Sequence, residues 1–198
     1  MKKIILSLLV ACSSVATYAQ HSIGAINIQP KIGINIANIS EENSNPRIGI
    51  VAGIEAEYQL TDLLSLSGAL LYSQQGNRNK IDTEILAPNK VYSETNYLNI
   101  PIMTNVYVIK GLAVKLGLQP SIKISSNSNI NTVDISIPKY IKIDKANNFD
   151  LSIPVGLSYE INHLQLDARY NWGITNIYKY ENAKNSVFQI TLGYKFSI

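Results

Sequence analysis

The sequence predicts an all-β fold, an eight-stranded antiparallel transmembrane β-barrel that runs up and down in chain order. Three observations carry this. Apolar and polar residues alternate along most of the chain, as in Leu164-Gln-Leu-Asp-Ala-Arg-Tyr-Asn-Trp172. Short turns alternate with long polar connections. The residues on the polar face include charges, whereas those on the apolar face carry none. Period-two alternation is the pattern of a strand with two unlike faces. Repeated along a chain, it suits a barrel that faces lipid outside and polar groups inside.

Eight strands follow in order. The first, Ile26 to Ala37, turns Ile28, Ile32, Ile34 and Ile36 outward and Lys31 and Asn35 inward. The second, Arg47 to Tyr58, turns Ile48, Ile50, Ile54 and Tyr58 outward, with Glu55 and Glu57 inward. The third, Leu63 to Gln74, presents Leu64, Leu66, Leu70 and Tyr72 outward. The fourth, Tyr97 to Val108, presents Leu98, Ile100, Ile102, Val106 and Val108. The fifth, Leu112 to Ile122, has Val114, Leu116 and Leu118 outward and Lys115 and Gln119 inward. The sixth, Phe149 to Glu160, carries Phe149, Leu151, Ile153, Val155, Leu157 and Tyr159 outward. The seventh is Leu164 to Ile174. The eighth, Val187 to Phe196, presents Phe188, Ile190, Leu192, Tyr194 and Phe196. Pro101 and Pro154 fall inside strands, where a missing N–H removes a ladder hydrogen bond, so local bulges are expected there. Alternation turns Tyr97 and Tyr107 inward, where they either fill the lumen or mark a shift of register.

The connections Gln59 to Asp62, Ile109 to Gly111 and Ile161 to His163 are short. Asn38 to Pro46, Gln75 to Asn96, Lys123 to Asn148 and Thr175 to Ser186 are long. In outer-membrane barrels the short turns are periplasmic, and an even strand count then puts both termini in the periplasm. Twelve tyrosines stand against three phenylalanines. The aromatic residues fall near strand ends: Tyr58, Tyr159, Tyr194 and Phe196 toward the short turns, and Tyr72, Phe149, Tyr170, Trp172 and Phe188 toward the long loops. Two such girdles suit the headgroup zones of a bilayer.

Lys31, Glu55, Glu57, Lys115, Glu160, Asp167, Arg169 and Lys195 all fall on the inward face, four bases and four acids. An eight-stranded barrel has an interior about wide enough for side chains to fill. Isolated charges there are costly, so mutual pairing is expected. On this reading Arg169 pairs with a buried acid, and Arg169→Leu would cost on the order of 3–5 kcal/mol if that pair is fully buried.

The N-terminus has the layout of a cleaved secretory leader. Met1-Lys2-Lys3 precedes the apolar run Ile4 to Ala11, and Thr17-Tyr18-Ala19 sets small residues at a cut before Gln20. The expected organisation is a signal peptide over 1–19 and a barrel domain over 20–198. Leu9-Val10-Ala11-Cys12 also fits a lipoprotein cleavage site, which would anchor the chain through Cys12, its one cysteine. The net charge is +3 and basic residues do not cluster, which argues against nucleic acid as a partner. The expected partners are outer-membrane lipid, the barrel-insertion machinery and an extracellular or periplasmic protein. No catalytic, metal or cofactor site is expected. The two histidines, His21 and His163, sit near the N-terminus and in a short turn, away from the long-loop end. The loop acids Glu41, Glu42, Asp82, Glu84 and Asp134 are scattered. The reading is a non-enzymatic barrel with a structural, binding or secretion- and envelope-accessory role. A small-solute channel is the alternative, and a secreted soluble ligand-binding barrel a further one.

Five stretches resemble the PorT-type outer-membrane β-barrel family of the Bacteroidota. They are Lys31-Ile-Gly-Ile-Asn-Ile-Ala; Gly49 to Gly76, with Leu70-Leu-Tyr-Ser-Gln-Gln-Gly76; Asn96-Tyr-Leu-Asn-Ile-Pro-Ile102; Leu166-Asp-Ala-Arg-Tyr-Asn-Trp-Gly-Ile174; and Asn185-Ser-Val-Phe-Gln-Ile-Thr-Leu-Gly-Tyr-Lys-Phe196. Leu192-Gly-Tyr-Lys-Phe196 is similar to the terminal strand read by barrel-insertion machinery, although Ser197 and Ile198 follow it. The resemblance implies export and an outer-membrane barrel. A founding member of the family is associated with protein secretion across that membrane. Fold alone does not carry such a role over.

Overall fold

The computed structural model describes residues 22–40, 44–81, 89–131, 140–141, 147–177 and 183–198. The expected leader, Cys12, His21 and the loop acids Glu41, Glu42, Asp82, Glu84 and Asp134 lie outside the described residues. The strands are β1 (Ile26–Ile39), β2 (Ser44–Gln59), β3 (Leu64–Ile81), β4 (Asn89–Asn99), β5 (Ile102–Ile109) and β6 (Leu112–Asn131). They continue as β7 (Tyr140–Ile141), β8 (Phe149–Ile161), β9 (Leu164–Gly173), β10 (Asn185–Tyr194) and β11 (Phe196–Ser197). All pairings are antiparallel. β4 and β5 together form one stave, as do β10 and β11, so eight staves run β1, β2, β3, β4/β5, β6, β8, β9, β10/β11. β10 and β11 return to pair with β1, with Ile34 opposite Ile190 and Ile28 opposite Phe196, and the barrel closes without a free edge.

The pleat sorts the side chains. On β1, Ile32 is 62% exposed and Lys31 only 3%. The same division holds around the barrel: Ile48, Ile54, Leu70, Leu116, Leu157, Leu166 and Leu192 are exposed, while Glu55, Gln119, Asp167 and Gln189 are buried. A surface so rich in aliphatic groups would aggregate in water, but in hydrocarbon it is matched to its solvent. This polarity is the reverse of that of a soluble carrier with an apolar pocket.

The bulges expected at Pro101 and Pro154 are not found. Asn99 opposes Leu71 and Ser121, and Ile102 opposes Gly68 and Leu118, so the register runs unbroken past Pro101 on both sides. The ladder only pauses, dividing the expected fourth strand into β4 and β5. The Pro101 carbonyl accepts from the Ala69 N–H at 3.0 Å, and the Ile100 N–H donates to the Pro120 carbonyl at 2.8 Å. Pro154 sits opposite Asn171 in an even β8–β9 register. The register shifts lie elsewhere: between Pro46 and Val51 on β2, between Asn96 and Tyr97 opposite Ile124, and between Tyr107 and Ile109. A proline whose nitrogen faces a position that needs no ladder bond costs little, whereas a bulge adds twist where a staved wall must coil.

The turn between β8 and β9 is two residues long, Asn162 and His163, both at positive φ (47° and 75°). That is the backbone a tight hairpin between right-twisted strands requires. At the opposite end the strands outrun the sequence expectation. β3 continues to Ile81, β4 begins at Asn89 and β6 continues to Asn131, so much of the expected loops Gln75 to Asn96 and Lys123 to Asn148 is paired strand. From Gln75 to Ile81, β3 gains roughly 23 Å of extended chain at about 3.3 Å per residue. β7 adds two residues against Ser128 and Asn129.

Candidate functional site: the charged lumen

The inward residues of each stave converge because the pleat gives them no other direction. Lys31 on β1 donates to Glu55 Oε2 at 2.9 Å and to Asp167 Oδ2 at 3.4 Å. Lys115 on β6 donates to Glu55 Oε1 at 3.2 Å and to Asp167 Oδ2 at 2.8 Å. Two bases and two acids thus close a ring, with every side chain at most 1% exposed. β1 and β6 stand on opposite sides of the barrel, with three staves between them either way round. Their lysines hold the same two carboxylates, so the ring spans the lumen.

A second group lies nearer the short turns. Lys195, at the break between β10 and β11, meets Glu57 Oε2 and Glu160 Oε2, each at 2.7 Å. Glu57 also accepts from the hydroxyls of Ser65 and Tyr107. Lys195 reaches the Tyr107 hydroxyl at 3.3 Å. Tyr107 on β5 stands opposite the β10/β11 stave, so this group too crosses the lumen. Tyr97 and Tyr107 are 2% and 5% exposed, so both point into the barrel.

Arg169 departs from the expected pairing. It is 1% exposed, yet no carboxylate lies within ion-pair distance of it among the described residues. Its guanidinium reaches the Met103 sulfur at 3.4 Å. With the Gln189 amide turned to present its oxygen, Arg169 donates to it from Nη2 at 2.6 Å and from Nε at 3.1 Å. Arg169→Leu therefore strands an amide oxygen rather than an acid. The expected loss falls to about 1–3 kcal/mol, the cost of one buried unsatisfied polar group. Urea midpoints of the refolded barrel check this. A larger loss would restore an acid as its partner.

Sequence reasoning did not single out Gln189, Met103, Ser65 or Tyr107 as members of these groups. Their inward parity was visible, but partners such as Lys31 and Asp167 lie 136 residues apart and only the closed barrel joins them. It also missed an apolar wall formed by Val51, Ala69 and Leu71. At the long-loop rim Arg47 meets Glu94 at 2.6 Å. There Asp150 accepts from Thr175 and Asn185, at 2.6 and 2.7 Å. Among the described residues no group of three or more His, Cys, Asp or Glu gathers as a metal site.

On the outer surface the aromatic residues form contacts along the rims. Tyr170 and Trp172 meet edge to face at 6.2 Å, and Tyr194 and Phe196 lie 4.8 Å apart. Tyr58, Tyr72, Phe149, Tyr159 and Phe188 are exposed beside apolar neighbours. Trp172, the one tryptophan of the chain, is 67% exposed. In refolded proteoliposomes its fluorescence is expected to be quenched by lipids brominated near the headgroup. Quenching by an aqueous quencher alone would place this rim outside the bilayer.

An apolar belt, a charged lumen and a closed eight-stave meander together define an outer-membrane β-barrel. Residues 18–179 match the family model described as outer membrane protein beta-barrel domain, and the chain belongs to that family. Its fold is similar to that of Ail, the attachment invasion locus protein of Yersinia pestis, at 14% identity and a TM-score of 0.50, covering 88% of this chain and 100% of that one. A second Ail structure, in complex with the heparin analogue sucrose octasulfate, gives 12% identity and a TM-score of 0.54 over 87% and 99% of the two chains. Neisserial surface protein A gives 18% and 0.52, again over 87% and 99%. The sequence matches no curated protein.

Proposed function

We propose that this outer-membrane barrel is closed to solutes and works through its exposed long-loop end, in a structural, binding or secretion- and envelope-accessory role. On this reading the leader over 1–19 is cleaved, both termini are periplasmic and no reaction is catalysed. The PorT-type resemblance fits the same picture and supplies the secretion-linked version of the role. The observation that carries the proposal is the ring of Lys31, Glu55, Lys115 and Asp167, which crosses the lumen with every member buried. A narrow channel would instead need polar groups left free to meet a passing solute. The paired extensions of β3, β4 and β6 give the long-loop end a framework for holding a partner. Ail, by its name an attachment protein and solved in complex with a heparin analogue, offers a precedent for binding by a barrel of this fold. Planar-bilayer recording tests the closed lumen. The refolded protein is expected to stay silent, and discrete openings would favour the small-solute channel instead.

A further inference from the structure

Beyond the rung of Tyr72, β3 and β4 continue as a paired extension whose register does not slip. Tyr72 stands opposite Leu98, Gly76 opposite Glu94, Arg78 opposite Tyr92 and Lys80 opposite Lys90. Residues that oppose one another, and every second residue along each strand, belong to one face of such a pair. Arg78, Lys80, Lys90 and Tyr92 therefore share the face that carries Tyr72 lower down, where it is turned to lipid. β6 adds Asn129 opposite Tyr92 and Asn131 opposite Lys90, and β2 adds Asn45 opposite Arg78. The other face of the same stretch, from Gln75 to Ile81 and from Asn89 to Thr95, carries no charged residue.

This placement is unfavourable on its own. Like charges directly opposite each other across a ladder destabilise it, and Lys80 and Lys90 are such a pair, with Arg78 one step below. Glu94, on the same face, meets Arg47 at 2.6 Å, so a fourth cation already matches its charge. Asp82 and Glu84 belong to the connection between the strands, outside the described residues. An anion seated between the cations would turn their repulsion into attraction.

Height selects among anions. At about 3.3 Å per residue and a tilt of roughly 40°, Arg78 lies about 15 Å and Lys80 about 20 Å beyond the rung of Tyr72. The headgroup zone of an ordinary bilayer leaflet is only about 5–7 Å deep. A lipid whose chains lie against this wall reaches the cations only if its head is several sugars long. The residue types suit such a head. Tyrosine has an apolar ring with a polar tip, asparagine offers amide donors and acceptors, and lysine and arginine make charge-assisted bonds to phosphate.

We propose that this face of the β3–β4 extension binds the phosphorylated oligosaccharide head of an outer-leaflet glycolipid whose acyl chains lie against the belt below. The proposal rests on the reading of the long-loop end as the working end and deepens it by naming what that end holds. Continuity with the lipid-facing wall favours a membrane-anchored sugar over a free one. A head tethered beside the wall meets the cations at high effective concentration.

The test titrates the refolded full-length barrel, in neutral detergent, with a phosphorylated glycolipid bearing a full-length oligosaccharide core. R78Q/K80Q/K90Q, with folding confirmed by its heat-shifted gel mobility, should bind about tenfold more weakly, as expected for loss of a few ion pairs of surface strength. Added salt should weaken binding by the unaltered protein. The same glycolipid cut back to its innermost sugars, or stripped of phosphate, should bind the unaltered protein no better than the triple variant. Equal affinity of the unaltered protein and the triple variant for the full-length glycolipid overturns the proposal. Equal affinity of the unaltered protein for the full-length and cut-back glycolipids does so too.

Lys90→Gln separates binding from structure. It relieves the repulsion with Lys80, so without glycolipid its thermal midpoint should match or exceed that of the unaltered protein, while its affinity falls. An unchanged affinity overturns the proposal. Dextran sulfate serves as a soluble polyanion for comparison. If it distinguishes the unaltered protein from the triple variant and the glycolipid does not, the cations serve a free polyanion. The glycolipid assignment then falls while the long-loop end stands as the working end. Discrete openings in bilayer recordings of the unaltered protein would instead overturn the closed-lumen reading and leave the glycolipid result untouched.

Discussion

A Lys195→Met barrel is expected to lose on the order of 3–5 kcal/mol of stability, the largest effect of any single charge removal in the lumen. Lys195 lies within ion-pair distance of both Glu57 and Glu160. Methionine keeps the bulk of the lysine stem but leaves two carboxylates facing each other. Glu57 would keep its hydroxyl donors from Ser65 and Tyr107, which bind the charge without cancelling it. Glu160 lies nearer the open end and recovers part of its hydration, so Glu57 carries most of the penalty. Lys115→Met should cost less, because Glu55 and Asp167 both keep Lys31. Adding Glu57→Gln and Glu160→Gln to Lys195→Met removes the stranded charges and should recover most of the loss. Urea midpoints read by Trp172 fluorescence give the ordering. A Lys115→Met loss as large as that of Lys195→Met would mean that Lys31 does not serve both acids.

Gly33→Ala should cost about 3 kcal/mol, the upper part of the usual range for overpacking. A Cβ at Gly33 would lie 1.9 Å from the Ile190 carbonyl oxygen and 2.7 Å from the Thr191 Cα. Both are backbone atoms of β10, across the seam that closes the barrel. Neither can swing aside, so the seam itself must spread. Gly68→Ala is the matched control. Gly68 lies on the outward face of β3, and a Cβ there meets nothing within 4 Å. That change should stay within about 0.5 kcal/mol, as for a substitution that disturbs no packed or bonded group. Equal losses at the two positions would show that the coiling of the wall, rather than the β1–β10 contact, sets the need for glycine.

Much of the barrel was legible because its two solvents, lipid and lumen, impose opposite demands on successive residues. Leu164 to Trp172 alternates without an error, and Leu64 to Tyr72 does so on its outward positions. The upper ends of β3, β4 and β6 were not legible. Segments such as Ser125 to Asn129 are polar at every position, because both faces there lie beyond the apolar belt and no burial difference marks the period. Pro101 misled for a related reason. Composition shows that a donor is missing but not whether the neighbouring stave asks for one. The inward parity of the eight charged residues could be read from the sequence. Their partners could not, because register shifts near Ile124 and Val108 and the tilt of the staves decide which side chains share a level. Arg169 shows the consequence. Its inward position was plain, but its neighbours are a sulfur and an amide supplied by β5 and β10.

The most direct test of the account is the gel mobility of the protein taken from purified outer membranes, with and without boiling. A closed barrel with a lipid-facing outer surface should be found in that fraction, resist the detergent until heated, and change its mobility on boiling. Identical mobility before and after heating, or absence from the fraction, would contradict the assignment of the aliphatic face to lipid and of the charged face to the lumen.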